Sequence, residues 1–179
     1  MAVVGHPEAV VVSAGSAAVV DSAGAGARAE AGDKMRTKEF LSKLEHDRIV
    51  SAIKDAEAKT SGQIGVYIQR GKLNGDSLIA AQKKFHRLGM HKTAERNAVL
   101  IFVAPRARKF AVVGDKAVHE KFGEAFWQCL VDGMRPHFQN EKFSHALAEA
   151  IEETGRALAE HFPKRSGFSN ALPDEIVES

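Results

Sequence analysis

Six residues of the types that hold ligands lie in three separate stretches: Thr60 and Ser61, then Glu95, Arg96 and Asn97, then Asp115. The carboxylates of Asp115 and Glu95 and the main-chain carbonyl of Asn97 are hard oxygen donors. Such donors suit Ca²⁺ or Mg²⁺ rather than a soft metal. The metal-ligand candidates are therefore Asp115 and Glu95, with Asn97, Arg96 and Ser61 completing a binding site. The alternative role for the same residues is structural, with Asp115 capping a following helix and Glu95 pairing with Arg96 or a lysine. Other chemistries lack their patterns. His119-Glu120 is not followed by a second histidine four residues on, so the zincin arrangement is missing. The eight histidines are scattered over different elements and do not read as a metal set. There is no Gly-rich phosphate loop and no Gly-x-Ser-x-Gly elbow. Phe122, Phe126 and Trp127 read as core rather than as a cofactor box.

These residues converge only if the elements between them run in particular directions. Ile64, Val66 and Ile68 alternate with Gly65, Tyr67 and Gln69, which predicts a strand. Asp76 is a good N-cap for a helix carrying Leu78, Ala81, Phe85 and Leu88 on one face, and Gly89 stops that helix. Val99 to Val103 is apolar on both faces, as a strand covered on both sides by helices must be. Strand, helix and strand make a βαβ unit with parallel strands. The link from Ala104 to Arg108 is too short for another crossover. Lys109 to Val113 therefore returns antiparallel as a hairpin, with Arg106 and Arg108 solvated in the turn. That reversal brings Asn97 and Asp115 to one rim of the sheet, and the start of the first strand, Ser61-Gly62, to the same rim.

The remaining pattern is helical. Ser42-Lys43-Leu44-Glu45 has the form of a capping box opening a helix to about Lys59, with Gly62 taking a left-handed conformation after it. Ala117 to Lys121 predicts a short helix and Glu124 to Met134 another, ended by Pro136. Asn140 or Lys142 opens a last helix whose stripe is Leu147, Ala150, Ile151, Thr154 and Leu158. The fold class is α/β, a three-layer α/β/α sandwich with a small mixed sheet.

A chain of 179 residues fits one domain with tails. A formal charge of +2 is too small to point to nucleic acid. The single cysteine, Cys129, excludes an intramolecular disulfide and reads as a buried thiol. No apolar run approaches the length of a transmembrane helix. Residues 1–36 are mostly small, without aromatic side chains, and predict a disordered extension in which Val10 to Val12 and Ala17 to Val20 form only short transient strands or helix. Met35 is a candidate translation start, because the regular pattern begins just after it. The domain spans 37–163. Residues 164–179 predict a polar tail in which Phe168, Leu172 and Ile176 pack back weakly.

Thr60-Ser61-Gly62-Gln63-Ile64, Arg96-Asn97-Ala98-Val99-Leu100 and Phe110-Ala111-Val112-Val113-Gly114-Asp115 resemble the strand borders of the TPM domain family, which has thylakoid, photosystem-repair and acetylcholine-receptor-modulator members. Phe126-Trp127, Met134 and Phe138 fit its later helices. The resemblance covers about Lys38 to Pro163 and is to a short soluble bacterial branch. The commoner family form has Asp-Asn-Gly before the second strand and Gly-Tyr-Gly after the third. Here these read Arg96-Asn97-Ala98 and Gly114-Asp115-Lys116, so only Asn97 and Gly114 carry over. The resemblance implies a binding or assembly module acting with a protein partner. Its alternative implication, from some plant members, is a weak metal-assisted acid phosphatase using Ca²⁺ or Mg²⁺. Many members carry a signal peptide and a membrane helix. This sequence shows neither pattern, and a cytoplasmic location is expected.

Overall fold

A computed structural model describes residues 11–13, 39–107, 109–164 and 176–178. Expectations for Val10, Ala17 to Val20, Met35, Arg108, Phe168 and Leu172 lie outside these. The sheet has strand order β1-β4-β3-β2-β5, formed by β1 (Val11–Ser13), β2 (Gln63–Ile68), β3 (Ala98–Ala104), β4 (Lys109–Gly114) and β5 (Ile176–Glu178). β2 and β3 run parallel, with Gln63 opposite Ala98 and Ile68 opposite Val103. β4 returns antiparallel to β3, with Val99 opposite Gly114 and Ala104 opposite Lys109.

Every residue of β3 is buried, and its side chains divide between two cores. Val99, Ile101 and Val103 join the larger core, together with Ile64, Val66 and Ile68 of β2 and Phe110 and Val112 of β4. That core is closed by α1 (His46–Glu57), α3 (Lys116–Gln139) and α4 (Phe143–His161). Leu100 and Phe102 join the smaller core on the opposite face, under Ala81 and Phe85 of α2 (Ser77–Arg87). Burying a side chain such as Leu100 or Phe102 contributes about 1.5–3 kcal/mol. A strand apolar on both faces is thus the central slab of three layers.

Local chemistry sets the helix ends. Asp76 accepts from the Leu78 and Ile79 main-chain N–H groups at 2.7 and 3.2 Å, capping α2 as its type predicts. Gly89 follows with φ 73°, a left-handed turn that stops the helix. The capping box at Ser42 does not form. Its hydroxyl donates back to the Glu39 carbonyl at 2.9 Å, and α1 begins later, at His46. The Glu45 N–H instead donates to Ser144 Oγ at 2.9 Å, a hydroxyl supplied by α4. Gly62 is not left-handed either. It is needed for closeness, since a Cβ there would lie 2.8 Å from Leu158 and 3.1 Å from the Asn97 carbonyl.

Three further expectations are corrected. The two helices expected before Pro136 form, separated by the non-helical Gly123 (φ 71°, ψ 170°), but the second does not end there and continues through Pro136 to Gln139. Phe126 is only partly buried, against the larger core. Cys129 is exposed, because it falls on the outer side of α3 between the inward Trp127 and Leu130. At the two ends, where transient structure at Val10 to Val12 and weak packing of Ile176 are expected, Val11–Ser13 pairs antiparallel with β4 and Ile176–Glu178 pairs parallel with β2 as edge strands. The C-terminal strand is fastened by charge: Glu178 bonds Arg70 and, at 3.0 Å, His46. These bonds hold the Glu178 carboxyl below the ordinary glutamate value, outweighing the burial that would raise it.

Candidate functional site

The rim of the sheet collects the ends of three strands, as the strand directions require. The segment before β2 brings Thr60 and Ser61. The turn before β3 brings Glu95, Arg96 and Asn97, and the end of β4 brings Asp115. All of these but Glu95 and Arg96 are buried. Main-chain bonds set the frame. The Gln63 N–H donates to the Asn97 carbonyl at 3.3 Å, Asp115 N–H to the Ala98 carbonyl at 2.8 Å, and Ala117 N–H to the Arg96 carbonyl at 3.2 Å.

Inside that frame the side chains form two bonded groups. In the first, Asn97 Nδ2 donates to Ser61 Oγ at 3.1 Å and to Glu95 Oε2 at 3.2 Å, while the Ser61 hydroxyl itself donates to Glu95. In the second, Arg96 grips Asp115 with both prongs of its guanidinium, Nε to Oδ2 and Nη2 to Oδ1, each at 2.8 Å. The Lys116 N–H also donates to Asp115 Oδ1 at 2.8 Å. Asp115 therefore does cap α3. Glu95 pairs with Ser61 and Asn97.

The second group is the one that pairs opposite charges. The Asp115 side chain is 4% exposed and that of Arg96 40%. A bidentate guanidinium–carboxylate pair is among the strongest hydrogen-bonded contacts proteins make. Its bond to Asp115 raises the Arg96 pKa further, against partial burial. The main chain at Arg96 takes φ 52°, the left-handed region that side chains other than glycine rarely adopt. The chelated carboxylate and the Ala117 contact hold it there. Thr60 serves the frame: its hydroxyl donates to the Phe162 carbonyl, tying the rim to the end of α4.

A ring that the sequence did not single out borders this site. His91 feels the charges of Arg96 and Asp115, and its imidazole titrates below the ordinary histidine value. Burial is the main cause, followed by the neighbouring His86, Lys92 and Arg96. The strand order and alternation gave no signal for it, because it lies in the irregular link before β3.

A second polar group lies elsewhere. The sequence treated the histidines as scattered, yet His137 of α3 and His145 and Glu149 of α4 meet where the two helices join. The available local signal was the spacing of His145 and Glu149, one helical turn apart on one face.

The sequence profile of the TPM domain matches residues 35–157. The NMR structure of the BA42 protein from the psychrophilic bacterium Bizionia argentinensis superposes with a TM-score of 0.70 at 34% identity, covering 75% of this chain and 92% of that one. No curated protein matches.

Proposed function

Because the chain belongs to the TPM domain family, we propose that it is a non-catalytic binding or assembly module whose rim, at Ser61, Glu95, Arg96, Asn97 and Asp115, docks a protein partner. One observation carries this reading: the acidic group best placed for chemistry, Asp115, is chelated by Arg96 and capped by Lys116 N–H. A divalent cation at Asp115 would share a carboxylate with an adjacent guanidinium, and like charges in contact repel. The rim as it stands fits Ca²⁺ or Mg²⁺ poorly, so metal-assisted phosphatase chemistry at Asp115 and Glu95 is the weaker reading. The rim hydroxyl, Ser61, is bonded to a carboxylate and an amide rather than to an imidazole base, which also favours binding over nucleophilic chemistry. No helix among the described residues is long and apolar enough to cross a membrane. Together with the modest charge, this supports a protein partner met in the cytoplasm rather than nucleic acid.

Ala94 gives a clean test, being exposed beside Glu95 and outside both bonded groups. Ala94→Arg adds bulk over the rim without breaking a bond. We expect the wild-type chain to retain a defined protein from its own cell extract, and Ala94→Arg to lose it with an unchanged melting temperature. Hydrolysis of a generic phosphoester that needs Ca²⁺ or Mg²⁺ and disappears in Asp115→Asn would overturn the proposal.

A further inference from the structure

The last turn of α3 and the first turns of α4 hold two imidazoles and a carboxylate at the spacing of metal ligands. His137 Nε2 lies 3.2 Å from Glu149 Oε2, and His145 Nε2 lies 3.8 Å from the same oxygen. The donor atoms of all three lie within 4.8 Å of one another. The two rings meet edge to face with centroids 4.6 Å apart. Zinc–nitrogen bonds of about 2.0–2.1 Å at tetrahedral angles put neighbouring donors about 3.3 Å apart, so small side-chain rotations complete the set.

The main chain here is preset. Lys142 N–H donates to the His137 carbonyl at 2.9 Å, and Asn140 N–H to the Pro136 carbonyl at 3.1 Å. Glu141 closes the link with φ 58°. His137 therefore faces α4 across a short, fully bonded turn. We infer that His137, His145 and Glu149 form a binding site for a divalent transition metal of the zinc class, clipping the α3–α4 hairpin and leaving a fourth position for water. Two imidazoles with one carboxylate select such ions over Ca²⁺ and Mg²⁺, which require mostly oxygen donors.

The surroundings add a specific consequence. Arg48 Nη2 of α1 lies 3.4 Å from His145 Nδ1. A guanidinium only donates, so this contact makes Nδ1 the acceptor and places the ring proton on Nε2, the nitrogen that faces Glu149. Metal binding through Nε2 needs the other tautomer and displaces Arg48. This arginine is exposed and also paired with Glu45 at 3.4 Å, so it can swing away. Arg48 thus opposes loading.

The test uses the full chain with Zn²⁺ and, as a spectroscopic stand-in, Co²⁺. We expect one ion per chain, an intense tetrahedral Co²⁺ absorption, and a melting temperature raised by several degrees with Zn²⁺ and restored by chelator. His145→Ala and Glu149→Gln should each weaken binding at least tenfold, and Arg48→Ala should strengthen it. His161→Ala, at the exposed end of α4, should leave it unchanged. Absence of a Co²⁺ band and of a melting shift would overturn the site. So would binding that survives both His145→Ala and Glu149→Gln.

Discussion

Two polar groups of this molecule, one at the sheet rim and one at the α3–α4 hairpin, are held in opposite ways. At the sheet rim the carboxylate of Asp115 is 4% exposed and its oxygens are occupied by Arg96 and a main-chain N–H. At the α3–α4 hairpin Glu149 is 50% exposed and faces two imidazoles across 3.2 and 3.8 Å. The rim sits between the ends of buried strands, where an unpaired charge is costly, so its groups satisfy one another. The hairpin sits at a surface, where water can serve each group and nothing forces permanent pairing. Polar residues converging on a core thus become structure, and their outer edge remains for recognition. Convergence at a surface leaves donors that can be taken by an ion.

The sharpest way to break this contrast is to remove one member of the buried pair. Arg96→Ala leaves the Asp115 carboxylate enclosed with its helix-cap contact but no counter-charge. Breaking a buried ion pair by deleting one partner costs about 3–5 kcal/mol. Water reaches the guanidinium, which is 40% exposed, and this reduces the expected loss to about 2 kcal/mol. Urea unfolding measures it. The double variant Arg96→Met with Asp115→Asn should recover most of the loss, since removing both charges removes the desolvation problem. A loss near zero for Arg96→Ala would mean the rim is as loosely held as the hairpin.

The matching change at the hairpin is smaller. Without metal, Glu149→Gln should alter stability by less than about 0.5 kcal/mol, as expected for an exposed contact. Equal costs in metal-free Glu149→Gln and in Arg96→Ala would erase the distinction between the two regions.

The legible parts of this molecule are those that main-chain logic determines. The unbroken run Val99 to Val103 demanded cover on both faces, and the short link at Pro105 demanded an antiparallel return. From these the meeting of Ser61, Asn97 and Asp115 at one rim followed by direction alone. Which side chain bonds which did not follow. That Arg96 reaches Asp115 depends on a left-handed main chain at residue 96, which no spacing signals. Val10 to Val12 and Ile176 were legible only as transient or weakly packed segments, and the sheet pairing of Val11–Ser13 and Ile176–Glu178 was not, because each strand is three residues long and takes its pairing from a neighbour. The hairpin site was illegible for a similar reason. His137 joins His145 and Glu149 only across a turn between two helices, so its partners are not at any helical period from it.

His91 supplies the smallest and most selective test, because it belongs to the rim by charge alone. Its ring is held below the ordinary histidine value by burial first, then by His86, Lys92 and Arg96, with Asp115 opposing. As pH falls through that ordinary value of 6.5, the unfolded chain takes up a proton that the folded chain refuses. Stability contributed by the neutral ring is therefore complete above this pH and is lost progressively below it, until the folded form is protonated too. Glu178 acts on a lower window, since its carboxyl lies below the ordinary glutamate value and its contribution is lost only in stronger acid. Comparing urea midpoints at about pH 5 and about pH 7.5 isolates the histidine window. His91→Gln should flatten the difference between the two. Arg96→Met should reduce it in part, because one of the cations opposing protonation is gone. An undiminished slope in His91→Gln would place the acid sensitivity elsewhere and separate His91 from the rim.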